Sequence, residues 1–499
     1  MAGDAVRLRD AAQGARNDAR MTVFLAFFLN IVFNFALGLY IASALGPEEY
    51  GRFALAHATA IAVQTAFFDW IRLGATRFYS ERTRSAEPGL RATLDFGFAA
   101  VACAITVGAA LLFLSGARFP LSNGLIALAL AVAFANGLYD YYTALVRARF
   151  HDRLFARLLL VKNVLTLALM GGGAFYFQSA AMTLAGGVLS LAGSTVTAHA
   201  ALRDPLSDAR RASLPQARAL MAYSLPIVAA NLLYLSIPLA NRALVAGFYG
   251  FSETGQFSLA YDFGAKAIQA VGSALDVVLF QIAVATHELR GARQARRQIG
   301  RNMTIVLAMV LPACTGLWLV LPSVELLIVP AEFRGHFAAL LTLMMTGLFC
   351  MAMIQYAISP IFQIEKRTAP VIVAALVACV VDPALIFLMP RASGAAGLAV
   401  AQAGAMLASL IVLVIFAGAA RPRWPRPRDV GAVVLANAAM VCALYPWREA
   451  SPGLPSLLAQ AGLGAAIYAS IVLGADVAGM RTLAMERLRP AKARRKAAS

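Results

Sequence analysis

Charged residues are scarce in this sequence of 499 residues, because Asp, Glu, Lys and Arg together make up only 14% of it. A soluble domain is nearer a quarter charged. Hydrophobic residues account for 60% of the chain. They recur in runs of about twenty or more, each long enough to cross roughly 30 Å of hydrocarbon as a helix. Regular alternation of polar and apolar residues is lacking, which argues against a β-barrel. The sequence therefore predicts an all-α integral membrane protein.

Residues with metal-binding or catalytic chemistry are also few. The five histidines are scattered, and the sequence contains no nucleophile–histidine arrangement and no phosphate-binding Gly-Lys-Ser/Thr loop. We therefore expect no enzymatic activity, no ATPase of the chain's own, no metal and no cofactor. The cysteines all fall within apolar runs without metal-ligand spacing, so we interpret them as small buried hydrophobic residues. They are Cys103, Cys314, Cys350, Cys379 and Cys442.

The apolar runs predict fourteen membrane spans. They lie at residues 21–45, 53–69, 93–115, 122–146, 156–177, 180–201, 219–246, 254–286, 302–323, 336–359, 370–390, 394–420, 429–446 and 456–479. The eighth span is longer than a bilayer requires, so we expect it to tilt or to project from the membrane.

Lysine and arginine concentrate in the N-terminal tail, in every second loop and in the basic C-terminal segment from Met480 to Ser499. The positive-inside rule therefore places both termini in the cytoplasm. Because the basic clusters are short and separate the spans, the net charge of +18 reflects topology and does not indicate nucleic-acid binding. The loops predicted to face outward are too short to hold a catalytic domain. Their arginines are Arg52, Arg118, Arg334, Arg391 and Arg448.

A motif at the start of the second span recurs at the start of the eighth. The two copies share Gly46/Gly250, Glu49/Glu253, Gly51/Gly255, Phe53/Phe257, Leu55/Leu259 and Ala56/Ala260 at a constant spacing. This repeat predicts two parallel six-helix lobes, residues 1–205 and 206–420, related by an axis along the membrane normal. Residues 421–499 add two further helices and the basic tail. Two similar lobes with substrate between them are a plausible arrangement for a transporter.

Polar residues inside spans are costly and usually face a cavity or a partner. The eighth span has six of them at helical spacing, which favours a water-lined cavity over a simple Asp262–Lys266 ion pair with polar contacts between helices. They are Ser258, Asp262, Lys266, Gln269, Ser273 and Asp276.

Other spans contribute further polar candidates. Lys162 in the fifth span is a candidate partner of Asp140 in the fourth, and Arg242 near the end of the seventh either lines a cavity or snorkels to headgroups. The predicted substrate-binding cavity comprises Arg242, Lys266, Lys162, Asn30, Asn34, Asn231, Tyr234 and Gln269. The candidates for ion coupling or for pairing within the cavity are Asp262, Asp276, Asp382 and Asp140.

The segment Leu45–Ala56 after a first span with polar residues resembles the polysaccharide biosynthesis transporters, the Wzx-type flippases. Supporting motifs are Ser224-Leu225-Pro226-Ile227, Asn241-Arg242 and the segment Gly255–Ala260. These flippases belong to the multidrug/oligosaccharidyl-lipid/polysaccharide exporter superfamily. Members often have Asp-Arg where this chain has Asn241-Arg242, which leaves Arg242 without an adjacent acid.

The resemblance implies a V-shaped, MATE-like pair of helical bundles. It also implies alternating-access transfer of an undecaprenyl-pyrophosphate-linked oligosaccharide across the bacterial inner membrane, for O-antigen, capsule or exopolysaccharide synthesis. Arg242, Lys266 and Lys162 would then form a cationic cavity for the pyrophosphate. The implied partners are the lipid-linked oligosaccharide, membrane lipids, and the polysaccharide polymerase and chain-length machinery, with no nucleic acid.

Three alternatives remain open. A cation-coupled multidrug exporter of the same superfamily would prefer acidic cavity groups and would need only twelve helices. A membrane glycosyltransferase or polymerase would need a larger outer loop. A scaffold for polysaccharide assembly, with the last two helices as its docking surface, is compatible with transport.

Overall fold

The computed structural model describes residues 2–80, 83, 86–117, 119–204, 207–365, 367–419 and 423–482. These residues form fourteen α-helices and no strand. The helices are α1 Ala2–Phe67, α2 Asp69–Phe78, α3 Gly89–Leu114, α4 Asn123–Ala148, α5 Asp152–Phe177, α6 Ala180–His199, α7 Leu214–Tyr249, α8 Phe251–Arg290, α9 Ala292–Ile328, α10 His336–Ile364, α11 Ala369–Leu388, α12 Gly394–Ala419, α13 Pro427–Leu444 and α14 Leu454–Gly474. One turn of α5, Thr166–Gly171, and one turn of α10, Met353–Ile358, are π-helical.

The helices reproduce the predicted spans. Twelve helices among the described residues, α3 to α14, are long and apolar enough to cross a membrane, and they coincide with the third to the fourteenth predicted spans. The first two predicted spans both lie in α1, which bends at Gly46. The prediction of an all-α, multi-pass membrane protein is therefore confirmed.

The segments outside the predicted spans lie at the two ends of the chain. The hydrophilic tail before residue 21 is helical, since α1 begins at Ala2. Alanine and arginine, which are frequent in this segment, favour helix without any tertiary contact. At the other end, residues 483–499 of the predicted basic tail lie outside the described residues.

Packing divides the chain into two compact units, Met1–Ser258 and Leu259–Ser499, here called unit 1 and unit 2. The division falls inside α8, whereas the predicted lobe boundaries after residues 205 and 420 rest on the sequence repeat and stay a prediction. The core of unit 1 gathers buried aromatic and aliphatic side chains from α2 to α7, among them Phe68, Tyr141 and Leu158. This core holds the helices that surround the candidate site.

In unit 2, α13 and α14 pack against α9. The hydroxyl of Tyr468 donates to the carbonyl oxygen of Ala308 at 2.7 Å, and the hydroxyl of Thr315 donates to the side-chain oxygen of Asn437 at 2.6 Å. Buried Val433, together with neighbouring apolar residues of both helices, completes this interface. The last two helices are therefore an integral part of unit 2.

The two copies of the repeat have the same backbone conformation at their first glycine. Gly46 has φ 68° and ψ 173°, and the equivalent Gly250 has φ 90° and ψ 174°. Positive φ of this kind is favourable only for glycine. Each glycine breaks the chain between two helical segments, so the shared glycine explains why both breaks occur at the same repeat position.

The expectation that every cysteine is buried is wrong for Cys103 and Cys442, which are exposed, whereas Cys314 and Cys350 are buried and Cys379 is intermediate. Cys103 and Cys442 lie on faces of α3 and α13 that no other helix of their unit covers. A small, weakly polar thiol is as compatible with lipid as with a protein core.

Candidate functional site

A polar cluster inside unit 1 brings together residues from α1 and α5. The amino group of Lys162 donates to the side-chain oxygen of Asn30 at 3.4 Å, and the amide of Asn34 donates to the same oxygen at 3.0 Å. The Lys162 nitrogen also lies 5.9 Å from the ring centroid of Tyr139. Three residues predicted from sequence to line a cavity, Lys162, Asn30 and Asn34, are therefore direct neighbours.

Asp140 on α4 lies beside this cluster. Its carboxylate accepts a hydrogen bond of 2.7 Å from the side-chain amide of Gln64 and interacts electrostatically with both Arg72 and Lys162. Among the described residues no salt bridge joins Asp140 to Lys162, so the expected direct pair is not formed. Gln64 satisfies one carboxylate oxygen, and Lys162 points to Asn30 instead.

Three members of the cluster escaped the sequence analysis, namely Gln64, Asp69 and Arg72. The guanidinium of Arg72 binds the Asp69 carboxylate through two bonds, Nε–Oδ1 at 3.1 Å and Nη2–Oδ2 at 3.0 Å. We had ended the second span at residue 69, whereas α2 begins there and continues to Phe78. The Asp–Arg spacing of three residues, which favours pairing on a helix, was the available signal.

The charges of this cluster are balanced, since Arg72 and Lys162 accompany Asp69 and Asp140. This differs from the purely cationic cavity that the resemblance implies. The two bases are not equivalent, however. The Arg72 guanidinium is committed to Asp69, whereas the Lys162 ammonium has three donors and a single long hydrogen bond. Lys162 is half-buried, so its remaining N–H groups can donate to a ligand.

The six polar residues predicted on the eighth span, here called the polar stripe of α8, differ in how exposed they are. Ser258 is fully buried, Lys266 and Asp276 are half-buried, and Gln269 is exposed. No described residue forms a salt bridge with Lys266, so the Asp262–Lys266 ion pair, which the sequence pattern disfavoured, is not formed. Asp262 makes other interactions. Lys266 is thus a second intramembrane ammonium with donors to spare, this time in unit 2.

Aromatic packing fixes the far end of this stripe. Gly272 of α8 lies so close to the ring of Tyr356 on α10 that a Cβ there would overlap the ring. Asp276, one turn further along α8, interacts electrostatically with the same Tyr356. No hydrogen-bond partner for the Asp276 carboxylate occurs in the part of the chain that the structure describes. Asp276 is therefore a half-buried carboxylate on the same helix as Lys266.

The other predicted residues lie on α7 and α11. Arg242 is only 5% exposed, and its Nη1 donates to the carbonyl oxygen of Ala54 at 3.5 Å. It neither lines an open cavity nor snorkels in this conformation, because α7 packs against α1. On α7, Asn231 is exposed and Tyr234 is half-buried. Asp382 on α11 is 3% exposed and takes part in a polar interaction there.

No protein-family model and no curated protein sequence matches the chain. Several solved structures share its fold, among them the following three. A lipid II flippase MurJ in an inward closed conformation has a TM-score of 0.68 and 13% identity, covering 90% of this chain and 98% of that one. A multidrug resistance MATE family transporter in an inward-facing conformation has a TM-score of 0.58 and 15% identity, covering 77% and 93%. The Vibrio cholerae MATE transporter VcmN has a TM-score of 0.53 and 15% identity, covering 81% and 97%.

Proposed function

We propose that this chain is a flippase that moves an undecaprenyl-pyrophosphate-linked oligosaccharide across the bacterial inner membrane for surface polysaccharide synthesis. The reaction is transport by alternating access, without a chemical step. Its substrate has an apolar tail that can stay in the bilayer and an anionic, hydrophilic head that cannot cross hydrocarbon unaided.

The observation that supports this proposal most strongly is the state of the two intramembrane lysines. Lys162 in unit 1 makes one hydrogen bond of 3.4 Å, and Lys266 in unit 2 has no salt-bridge partner among the described residues. An ammonium group that no carboxylate contacts directly is expensive inside a membrane. A phosphate group would supply strong charge-assisted hydrogen bonds and offset that cost.

The amide and aromatic groups near Lys162 suit the sugar part of such a substrate. Asn30, Asn34 and Tyr139 lie around the ammonium group, and Asn231 and Tyr234 offer further polar groups on α7 of the same unit. Amides donate and accept hydrogen bonds, as sugar hydroxyls do. The similarity of nearly the whole chain to a structure named as a lipid II flippase supports a lipid-linked substrate.

One observation favours a second candidate function. Asp276 is half-buried without a hydrogen-bond partner among the described residues, and such a carboxylate is suited to a cationic drug or to a coupling ion. One of the MATE neighbours is named as a multidrug resistance transporter. A cation-coupled multidrug exporter is therefore the alternative, with Asp276, Asp262 and Asp382 as the residues to mutate.

Deleting the gene in its host separates the two functions. A flippase predicts loss of surface polysaccharide, with complete lipid-linked repeat units accumulating in the cytoplasmic leaflet. A multidrug exporter predicts unchanged polysaccharide and increased sensitivity to cationic drugs. Complementation with the wild-type gene controls for effects on neighbouring genes, and unchanged lipid-linked intermediates would overturn the flippase proposal.

A further inference from the structure

A groove of about 710 Å³ lies in unit 1, and its described lining residues do not include those of the polar cluster. The second half of α1, together with α3, α4 and α7, forms its walls, and the loop between α3 and α4 closes one end. That loop contains Arg118, which the charge pattern places on the outer side of the membrane. Residues that define the groove are Leu55, Thr59, Gly108, Phe119, Leu239 and Ala243.

The groove lies beside the C-terminal half of α3, which packs less closely against unit 1 than its N-terminal end does. Near its N-terminus the hydroxyl of Thr93 donates to the side-chain oxygen of Gln216 at 2.9 Å, and Gly97 packs directly on the ring of Trp70. From Val101 to Leu114, by contrast, no residue of α3 is buried. Within this half, Val101, Ala102 and Ile105 are partly exposed and pack against the core of unit 1, and the looser packing beyond them leaves the space open.

The lining of the groove can recognise only hydrocarbon. Thr59 has the only polar side chain among the described lining residues, and its hydroxyl already donates to the carbonyl oxygen of Leu55 at 2.9 Å. None of the described residues that line the groove is charged. Its volume is within the range of about 300–1,000 Å³ that is usual for ligand sites. Apolar burial is thus the sole source of affinity.

The position of the groove indicates which hydrocarbon it holds. Leu239 and Ala243 lie on α7 beside Arg242, and Leu55 follows Ala54, whose carbonyl accepts the hydrogen bond of Arg242. The groove is therefore continuous with the packed region at the predicted outer end of unit 1. A transported lipid would emerge at this end, and its tail would need a place beside the helices while the head is released.

We infer that this groove binds the polyprenyl chain of the transported lipid. The inference rests on the proposed function and adds a tail site to it, separate from the polar cluster. Small residues such as Gly108 and Ala243 lie between larger aliphatic ones along the walls. A methyl-branched polyprenyl chain fits such an uneven surface better than a straight acyl chain does.

Photocrosslinking in vesicles tests the inference directly. The probes are a polyprenyl phosphate with a diazirine in its tail and a phosphatidylglycerol with a diazirine in one acyl chain. We expect the polyprenyl probe to label peptides of α3 and α7 around Gly108 and Ala243, and excess unlabelled phosphatidylglycerol not to compete.

Two variants of α3 supply the matched comparison. Gly108→Phe places a ring at the wall of the groove, where a Cβ meets no atom within 4 Å. Val107→Phe adds the same ring to a neighbouring residue that is 52% exposed and outside the groove. We expect Gly108→Phe to reduce polyprenyl labelling about tenfold and Val107→Phe to leave it unchanged.

Each other outcome has a definite meaning. Equal labelling and competition by phosphatidylglycerol would show a groove for bulk lipid and overturn the inference. Absence of groove labelling while vesicles still translocate the lipid-linked oligosaccharide would overturn the tail site and leave the proposed function intact. Groove labelling without any translocation would support the tail site and count against the proposed function.

Discussion

Gly51 and Gly255 occupy equivalent positions of the repeat and pack against each other's helix. A Cβ added to Gly51 would overlap the carbonyl oxygen of Phe251, and a Cβ added to Gly255 would overlap the carbonyl oxygen of Pro47. Pro47 and Phe251 are themselves equivalent, so the contact is nearly two-fold symmetric. The guanidinium of Arg52 lies 5.2 Å from the ring centroid of Phe251 and covers one side of it. Only glycine permits such a close helix crossing.

We predict that Gly51→Ala separates these two helices. Overpacking of this kind costs about 1–3 kcal/mol, which corresponds to roughly a tenfold shift in population. The measurement is thiol labelling of a cysteine placed at Thr254, which is fully buried, after replacement of the native cysteines. Labelling should be about tenfold faster in Gly51→Ala.

The matched control for this substitution is Gly247→Ala on α7, where a Cβ meets nothing within 4 Å. It should label at the wild-type rate. Gly51→Ala combined with Gly255→Ala should add little, because one separation relieves both overlaps. Wild-type labelling in every variant would contradict a contact that depends on the absence of side chains.

The lysines should be required for their charge. Lys162→Gln and Lys266→Gln each remove an ammonium group, and we expect each to lower translocation of the lipid-linked oligosaccharide by about tenfold or more, since a charged hydrogen bond contributes roughly 1.5–3 kcal/mol. Lys162→Arg should retain more activity than Lys162→Gln. Arg153→Gln, an exposed residue at the start of α5, is the control. Full transport in both Gln variants would refute the anion-binding role.

Breaking the Arg72–Asp69 pair should destabilise unit 1. Arg72→Ala leaves a carboxylate that is only 7% exposed without its partner, and we expect a loss of about 3 kcal/mol in thermal unfolding in detergent. Adding Asp69→Asn should recover part of that loss, because the uncompensated charge is then removed. Arg77→Ala, on an exposed site of the same helix, should have little effect. Equal stability of Arg72→Ala and Arg77→Ala would contradict the pairing.

The attachment of α14 to α9 predicts a smaller effect. Tyr468→Phe removes one hydrogen bond to the Ala308 carbonyl and keeps the ring in place, so stability should fall by about 1 kcal/mol. Ser470→Ala, at an exposed position on α14, is the comparison. Unfolding curves that do not distinguish Tyr468→Phe from the wild type would show that the buried hydroxyl contributes nothing.

The third to the fourteenth spans could be predicted from sequence because long apolar runs depend on local composition alone. The polar cluster could be predicted only in part. Lys162, Asn30 and Asn34 were identifiable as polar residues inside apolar runs, but their contact depends on how α1 and α5 pack. Asp69 and Arg72 were missed because they lie at and just beyond the end of the second predicted span, where the apolar run stops.

The burial of Arg242 could not be predicted from the sequence. Its position near the end of an apolar run suited both a cavity and the membrane surface, and sequence alone did not favour either. The structure buries it against Ala54 because the two copies of the repeat pack closely nearby. Local sequence does not contain that long-range contact.

The most direct test of the proposed function is translocation by the purified protein in vesicles. A fluorescent undecaprenyl-pyrophosphate-linked oligosaccharide is placed in one leaflet, and its appearance in the other is followed with a membrane-impermeant quencher. We predict translocation well above that of protein-free vesicles, its loss in the Lys162→Gln/Lys266→Gln double variant, and no transport of a cationic dye. Background translocation of the oligosaccharide lipid together with dye transport that requires Asp276 would contradict the flippase proposal and identify a multidrug exporter.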